Sequence, residues 1–236
     1  MTALAKLISP SATTAEIALV GVACALDLSG ALYMPDEATL VIADLHLEKG
    51  SSLARRGSML PPYDTRTTLL ALGGVIGRYH PRRVVALGDS FHDVGGPDRL
   101  DGGDAEALSA LQIGREWVWI AGNHDPSLPE ALGGDVVEQL GVGDLTLRHA
   151  PEAEAGPELA GHLHPVGKVV RRGGGVRRRC FVTDGLRCVM PAFGAYAGGL
   201  NVCDPVFQPL FPSGFTAHVI GGERLFAIAR AMLCGD

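Results

Sequence analysis

The sequence predicts a mixed α+β fold, and three observations carry that expectation. Short apolar runs, each too brief for a helix, recur along the chain and end in turn residues. Two longer stretches space their apolar residues as a helix does. No repeat, linker or low-complexity segment divides the 236 residues, so a single domain over 1–236 is expected. A chain of this length buries roughly 70–75% of its unfolded surface and needs no disulfide or metal merely to fold. Hydrophobic residues at 47% and charged residues at 19% describe a well-filled globule. Aromatic residues reach only 6%, so the core is expected to be built from Val, Leu, Ile and Ala.

Residues 1–15 are small and polar and are expected to be poorly ordered. Glu16 to Met34 reads as two strands joined at Asp27-Leu28-Ser29-Gly30, and Thr39–Ala43 as a buried strand. Leu69–Tyr79 has helical spacing, with Asp64 and Thr65 as caps and Pro81 as the stop. Val84–Leu87, Trp117–Ala121, Leu145–Leu147 and Leu159-Ala160 are further apolar runs, and Gly102–Arg115 suits a helix. Val166–Arg172 and Val176–Thr183 flank Gly173-Gly174-Gly175, a hairpin signal. Beyond Leu200 short β-like pieces are broken by Pro205, Pro209 and Pro212; Glu223–Leu233 suits a strand or a helix equally.

A net charge of −6 excludes a strongly basic nucleic-acid coat but not an enzyme that meets phosphates through a local patch. Five cysteines without a C-x-x-C argue against a disulfide framework or a zinc ribbon, and point to the reducing cytoplasm. The longest apolar run, Ile17–Leu26, is about half of a membrane span, so no membrane association is expected. Glu16 beside that run and Lys6 as the one early cation argue against an export signal.

The chemistry gathers in five segments of one build, an apolar run and then a sharp turn with metal-capable side chains. They are Val41-Ile42-Ala43-Asp44-Leu45-His46, Ala86-Leu87-Gly88-Asp89, Ile120-Ala121-Gly122-Asn123-His124-Asp125, Leu147-Arg148-His149 and Leu159-Ala160-Gly161-His162-Leu163-His164. Ligand sites of open sheets lie off the carboxyl ends of strands, where each group falls. Residues two apart on an extended segment share a side, so Asp44 and His46 can bind one ion together, as can His162 and His164. The glycines before Asp89, Asn123 and His162 let the strand turn. Carboxylate, amide and imidazole without thiolate suit Mn²⁺, Fe or Zn²⁺. Asp44, His46, Asp89, Asn123, His149, His162 and His164 are too many for one tetrahedral ion and suit two divalent ions sharing a carboxylate. Each piece alone has a plainer reading: a surface Asp-His pair, a turn at Gly-Asn-His-Asp, a core histidine at 149. The five together, in one order at strand ends, do not.

This series resembles the calcineurin-like metallophosphoesterase superfamily. Ala43-Asp44-Leu45-His46-Leu47-Glu48-Lys49-Gly50, Leu60-Pro61-Pro62-Tyr63-Asp64, Gly88-Asp89-Ser90-Phe91-His92-Asp93 and Pro191-Ala192-Phe193-Gly194-Ala195-Tyr196 narrow the likeness to the ligase-associated DNA damage response endonucleases, the PdeM family. The resemblance implies a four-layer αββα sandwich with a dinuclear metal site at one edge of the sheets. It implies Asp44, His46 and His164 around a first ion, Asn123, His149 and His162 around a second, and Asp89 between them. It further implies a DNA substrate, manganese as the preferred ion, and an ATP-dependent DNA ligase and a helicase as partners.

Two such cations about 3.5–4 Å apart would clamp a phosphodiester, acidify a bridging water and stabilise both attacking and leaving oxygens. His124 is then free to serve the leaving oxygen as a catalytic residue, with Asp125 orienting its ring. His92 and Asp93 suit either a supporting or a substrate-contacting place, or a plain loop turn. Arg55 and Arg56, after the first motif, are candidates to bind substrate, with Tyr63 near them in sequence. Arg171, Arg172, Arg177, Arg178 and Arg179 set five guanidinium groups around the glycine hairpin, either as a phosphate-tracking patch or as solvated protection of strand edges. Small phosphodiesters in place of DNA, and a non-catalytic scaffold on the same fold, are the competing functions.

Overall fold

The structure, a computed structural model, describes residues 13–58, 60, 61, 63–171 and 174–236. Its first sheet runs in the order β1 (Thr14–Leu19), β2 (Val22–Asp27), β3 (Leu32–Met34), β4 (Thr39–Ile42), β5 (Arg83–Leu87), β6 (Glu116–Ile120) and β7 (Asp135–Val137). The strands are antiparallel from β1 to β4 and parallel from β4 to β7. The unbroken apolar runs of β4, β5 and β6 reflect burial on both faces. Val41, Val85, Leu87, Val118 and Ile120 face the second sheet. Leu40, Ile42, Val84, Ala86, Trp117 and Trp119 face outward, against Leu69, Leu72, Val75, Ile76 and Leu108. Those residues belong to α2 (Asp64–Tyr79) and α3 (Gly102–Gln112); the shorter α1 (Lys49–Arg55) follows β4.

The second sheet contains β8 (Gln139–Val142), β9 (Leu145–Arg148), β10 (Glu158–Ala160), β11 (Pro165–Arg171), β12 (Gly174–Thr183), β13 (Arg187–Val189), β14 (Leu200–Asn201), β15 (Thr216–Ile220) and β16 (Leu225–Ala229). Its main path is β14-β11-β12-β13-β10-β9-β8, with β15 and β16 built out from β12. Leu145, Leu147, Leu159, Phe181, Cys188 and Met190 meet the first sheet in the central core. On the far side, Cys180, Val182, Val189, Ala217 and Val219 are covered by Val202, Phe207, Leu210 and Phe211, in and around α4 (Phe207–Leu210). This is the αββα sandwich, with a thin fourth layer. Strands β4, β5, β6, β9 and β10 end at one edge, where the candidate ligands follow them.

Several elements differ from the sequence reading. Glu16 to Met34 makes three strands, because Val20-Gly21, at φ 43° and 87°, turns the chain inside the apolar run. A valine at positive φ is rare, so no residue preference marks that turn. Ala15 and Thr14 lie within β1, and residues 1–12 of the segment expected to be poorly ordered fall outside the described residues. Asp64 and Thr65 do not cap α2: the Asp64 carboxylate accepts from Gly50 N at 2.9 Å, and Thr65 Oγ1 donates to Glu48 at 2.8 Å. Both therefore hold the loop after β4 rather than their own helix. Glu223–Leu233 resolves into β16, which completes the open edge of β15, and a 3-10 turn at Arg230–Met232. The glycine hairpin is present as β11–β12; Arg172, Gly173, the Arg171 side chain and Pro62 lie outside the described residues.

Candidate metal centre

Asp44 and His46 follow β4, Asp89 follows β5, Asn123 and His124 follow β6, His149 follows β9, and His162 and His164 follow β10. Their side chains converge in two groups, Asp44 with His46 and His164, and Asp89 with His149 and His162, each with its donor atoms within 4.8 Å of one another. In the first, His164 Nε2 stands 3.3 Å from Asp44 Oδ1 and 3.2 Å from His46 Nε2. In the second, His149 Nε2 stands 3.4 Å from Asp89 Oδ1 and 3.1 Å from His162 Nδ1. Asp44 Oδ1 and His149 Nδ1, 3.9 Å apart, bring the two groups side by side. Asn123 is exposed and lines a cavity of about 330 Å³ together with His149, which places it on the second group's side.

The backbone is bent to achieve this. Asp44, His46, Asp89, His162 and His164 all have φ between 45° and 67°. Asp and His tolerate this left-handed region better than most residues, yet each such residue costs of order 1–3 kcal/mol. The surrounding chain enforces it. His46 N donates to Asp89 O and Leu47 N to Ser90 O, both at 2.9 Å, so the loops after β4 and β5 brace each other. Only Gly88 among the three glycines before ligands uses positive φ, at 75°. Gly122 and Gly161 supply space instead: a Cβ at Gly161 would lie 2.6 Å from Asp44 Oδ2, and one at Gly122 would strike the Asp89 main chain.

One contact fixes which nitrogen of the His149 ring is bare. His149 Nδ1 is 2.9 Å from Leu87 O, which can only accept, so the proton sits there and Nε2 is left as a ligand. The Asp44 carboxylate accepts from His162 N at 2.9 Å. Burial, and then the facing imidazoles of His164, His124 and His92, hold His46 down at about 2, so its ring is neutral. Burial lowers His162 as well, with His149 adding to it. Burial acts against the charge of His164, but the Asp44 hydrogen bond prevails and raises it. Imidazoles abutting one another and two buried carboxylates are a donor set that a divalent cation satisfies. The buried Nδ1 of His46 also lacks a hydrogen-bond partner.

Other expected residues fall differently. Asp125 does not orient His124. It is buried, accepts from Phe91 N at 3.0 Å, and burial pushes its carboxyl up to about 6, with Asp89 adding to the rise. His124 Nδ1 instead donates to His92 O at 2.6 Å, and His124 N donates to Asp89 Oδ1 at 2.9 Å. The ring of His92 itself stands with His46 and His124 in a third group, with ring nitrogens within 4.8 Å. Asp93 makes the plain turn, accepting from Gly95 N at 3.0 Å and from Arg99 at 2.8 Å. Arg55 and Arg56 are exposed at the end of α1, and the charge of Arg56 acts on His92. Lys49 carries no signal beyond its place in the first motif, yet its charge acts on both His46 and His92 while its ammonium donates to Tyr196 O at 2.9 Å.

No protein-family model and no curated protein sequence matches the chain. Among solved structures it is similar to the nuclease MPE of Pseudomonas putida, with 27% identity and a TM-score of 0.73 over 91% of this chain and all of that one. A more distant likeness is to Yfce, a phosphoesterase from E. coli, with 12% identity and a TM-score of 0.41 over 82% of this chain and 98% of that one. By its sandwich and by the order of its metal-capable residues, the chain resembles the calcineurin-like metallophosphoesterases and, among them, the PdeM nucleases.

Proposed function

We propose that the chain is a metal-dependent phosphodiesterase that cuts DNA in a repair context and works with two divalent cations, manganese in preference to iron or zinc. The observation that carries this reading is the meeting of two neighbouring donor groups drawn from five strand ends of both sheets. Asp44, His46 and His164 would hold one ion, Asn123, His149 and His162 the other, and Asp89, buried between β5 and the His149 ring, would touch both. When bound, the ions supply Lewis acidity toward the phosphoryl oxygens and a nucleophile at neutral pH. The protein supplies the rest. Leu87 O holds the His149 tautomer, His162 N holds the Asp44 carboxylate, and His92 O holds the half-exposed His124 ring, whose Nε2 stands 3.9 Å from Asp89 Oδ2. There it can hand a proton or a hydrogen bond to the leaving oxygen. The nuclease named among the solved structures supports a nucleic acid as the substrate class.

The test is hydrolysis of bis-p-nitrophenyl phosphate and of single-stranded, nicked and duplex DNA, with and without Mn²⁺. Manganese-stimulated turnover of both kinds of substrate is expected, and Asp89→Asn lowers it at least a hundredfold. A wild-type chain with no metal-stimulated turnover of either substrate refutes the reading. Turnover confined to small diesters moves the substrate to that class.

A further inference from the structure

A groove of about 400 Å³ lies beside His164, walled by Arg177, Arg178 and Arg179 and, opposite them, by the strap Ala197–Gly199. Arg179 pairs across the hairpin with Val166, two residues beyond His164, so the arginine row starts next to the first donor group and runs away from it along β12. The strap is held to the same place, with Leu200 N donating to His164 O at 3.1 Å. A Cβ at Gly199 would come within 2.7 Å of His164 O, whereas Gly198 and Gly222 face open space and leave the groove clear. The charges on its wall are incompletely matched. Arg177 pairs with Asp236 at 3.2 Å and also donates to Gly199 O at 2.7 Å. Arg178 is exposed and, among the described residues, donates only to the neighbouring Arg177 O, at 3.3 Å. Arg179 is half-buried and donates to Ala192 O at 2.6 Å. Among the described residues, no carboxylate lies within ion-pair distance of Arg178 or Arg179. Burial works against the Arg179 charge and no acidic group offsets it.

We propose that this groove holds the backbone phosphates of a DNA strand whose scissile bond lies in the metal centre. The inference rests on the phosphodiesterase reading and gives it a direction: the strand leaves the centre past His164 and along β12. A guanidinium without an acid partner, in a channel open to solvent and floored by glycine, is matched by an oxyanion. From Arg179 to Arg177 the row extends about 7 Å along β12. A small diester engages the centre alone and gains nothing from the arginines.

The experiment compares wild type, Arg178→Ala/Arg179→Gln and Arg178→Lys/Arg179→Lys as full chains. The neutral variant should cut single-stranded DNA with kcat/KM at least tenfold lower, chiefly through KM, and hydrolyse bis-p-nitrophenyl phosphate at the wild-type rate. Binding of a single-stranded oligonucleotide, followed by fluorescence anisotropy in EDTA, should show a salt slope shallower by about 1.4 on loss of two phosphate contacts. The lysine variant should keep the wild-type slope. An unchanged slope with unchanged DNA cleavage overturns the proposal, and so does a parallel loss of small-diester turnover, which would make the arginines structural. The binding arm needs no turnover, so a chain that binds the strand yet hydrolyses no diester refutes the phosphodiesterase reading and leaves the groove standing.

Discussion

His124 stands apart from the other histidines of the centre in what its ring faces. Its side chain is 45% exposed where that of His149 is 7% exposed, and its Nδ1 is committed to a main-chain carbonyl. Its main-chain N–H donates to Asp89 Oδ1 at 2.9 Å, nearer than its ring Nε2 at 3.9 Å from Oδ2, and that main-chain donor survives substitution. His124→Ala should therefore bind metal as wild type does, by calorimetric titration and metal analysis, while kcat falls by about 10²–10⁴, the usual worth of a positioned acid. Loss of bound metal instead would make the ring a ligand. The residues of the centre were legible because ligand types that follow short apolar runs are a local pattern. Their supports were not. The His92 carbonyl lies 32 positions from the ring it orients, while the neighbouring Asp125 carboxylate, suggestive in sequence, turns inward to Phe91 N. Gly122 and Gly161 were legible as turns but serve as space for Asp89 and Asp44, a fact that only the folded chain contains.

At the scale of elements, legibility follows length. β4, β5 and β6 announce themselves as continuous apolar runs, whereas β7 and β13 span three residues each, too few for any period to show. What fixes such short strands is side-chain chemistry across the sheet. Arg187 of β13 is 4% exposed and reaches Glu158 of β10, 1% exposed, at 3.2 Å, while it also donates to the carbonyls of Glu152, Ala153 and Ala155. These donations tie the loop before β10 to the sheet that presents His162. Arg187→Met leaves the Glu158 carboxylate with Arg148, 3.7 Å away, and the Glu152 N–H as partners, strands three carbonyls, and should cost about 1–3 kcal/mol in urea denaturation. Adding Glu158→Gln removes the charge that lost its nearer cation, so the double variant should be more stable than the sum of the single losses by roughly 0.5–3 kcal/mol. Strict additivity would mean that the two side chains do not act as a pair.

For the whole molecule, the centre is a clasp as well as a site. Asp44, His46, Asp89 and Asn123 come from the first sheet, and His149, His162 and His164 come from the second. The central core between the sheets is apolar, so the chain should fold without metal. The edge differs: left-handed backbone, buried carboxylates and facing imidazoles are gathered there, groups that a divalent cation would relate. An ion that binds this edge only when folded adds stability by mass action, about 2.7 kcal/mol per site at a hundredfold excess over Kd. For a chain of this size that corresponds to a rise in Tm of about 5–11 °C. Trp117 and Trp119, the two tryptophans of the chain, both lie in β6 and report on the first sheet, so their fluorescence can follow the transition. The expected result is a higher transition in Mn²⁺ than in EDTA, with the difference largely abolished by Asp89→Asn and unchanged by Arg178→Ala/Arg179→Gln. A shift of equal size in the Asp89→Asn chain would place the binding on surface carboxylates and dissociate the stabilisation from the clasp. A shift that vanishes only in the arginine variant would mean that the groove, not the ligand set, governs how the two sheets are held at that edge.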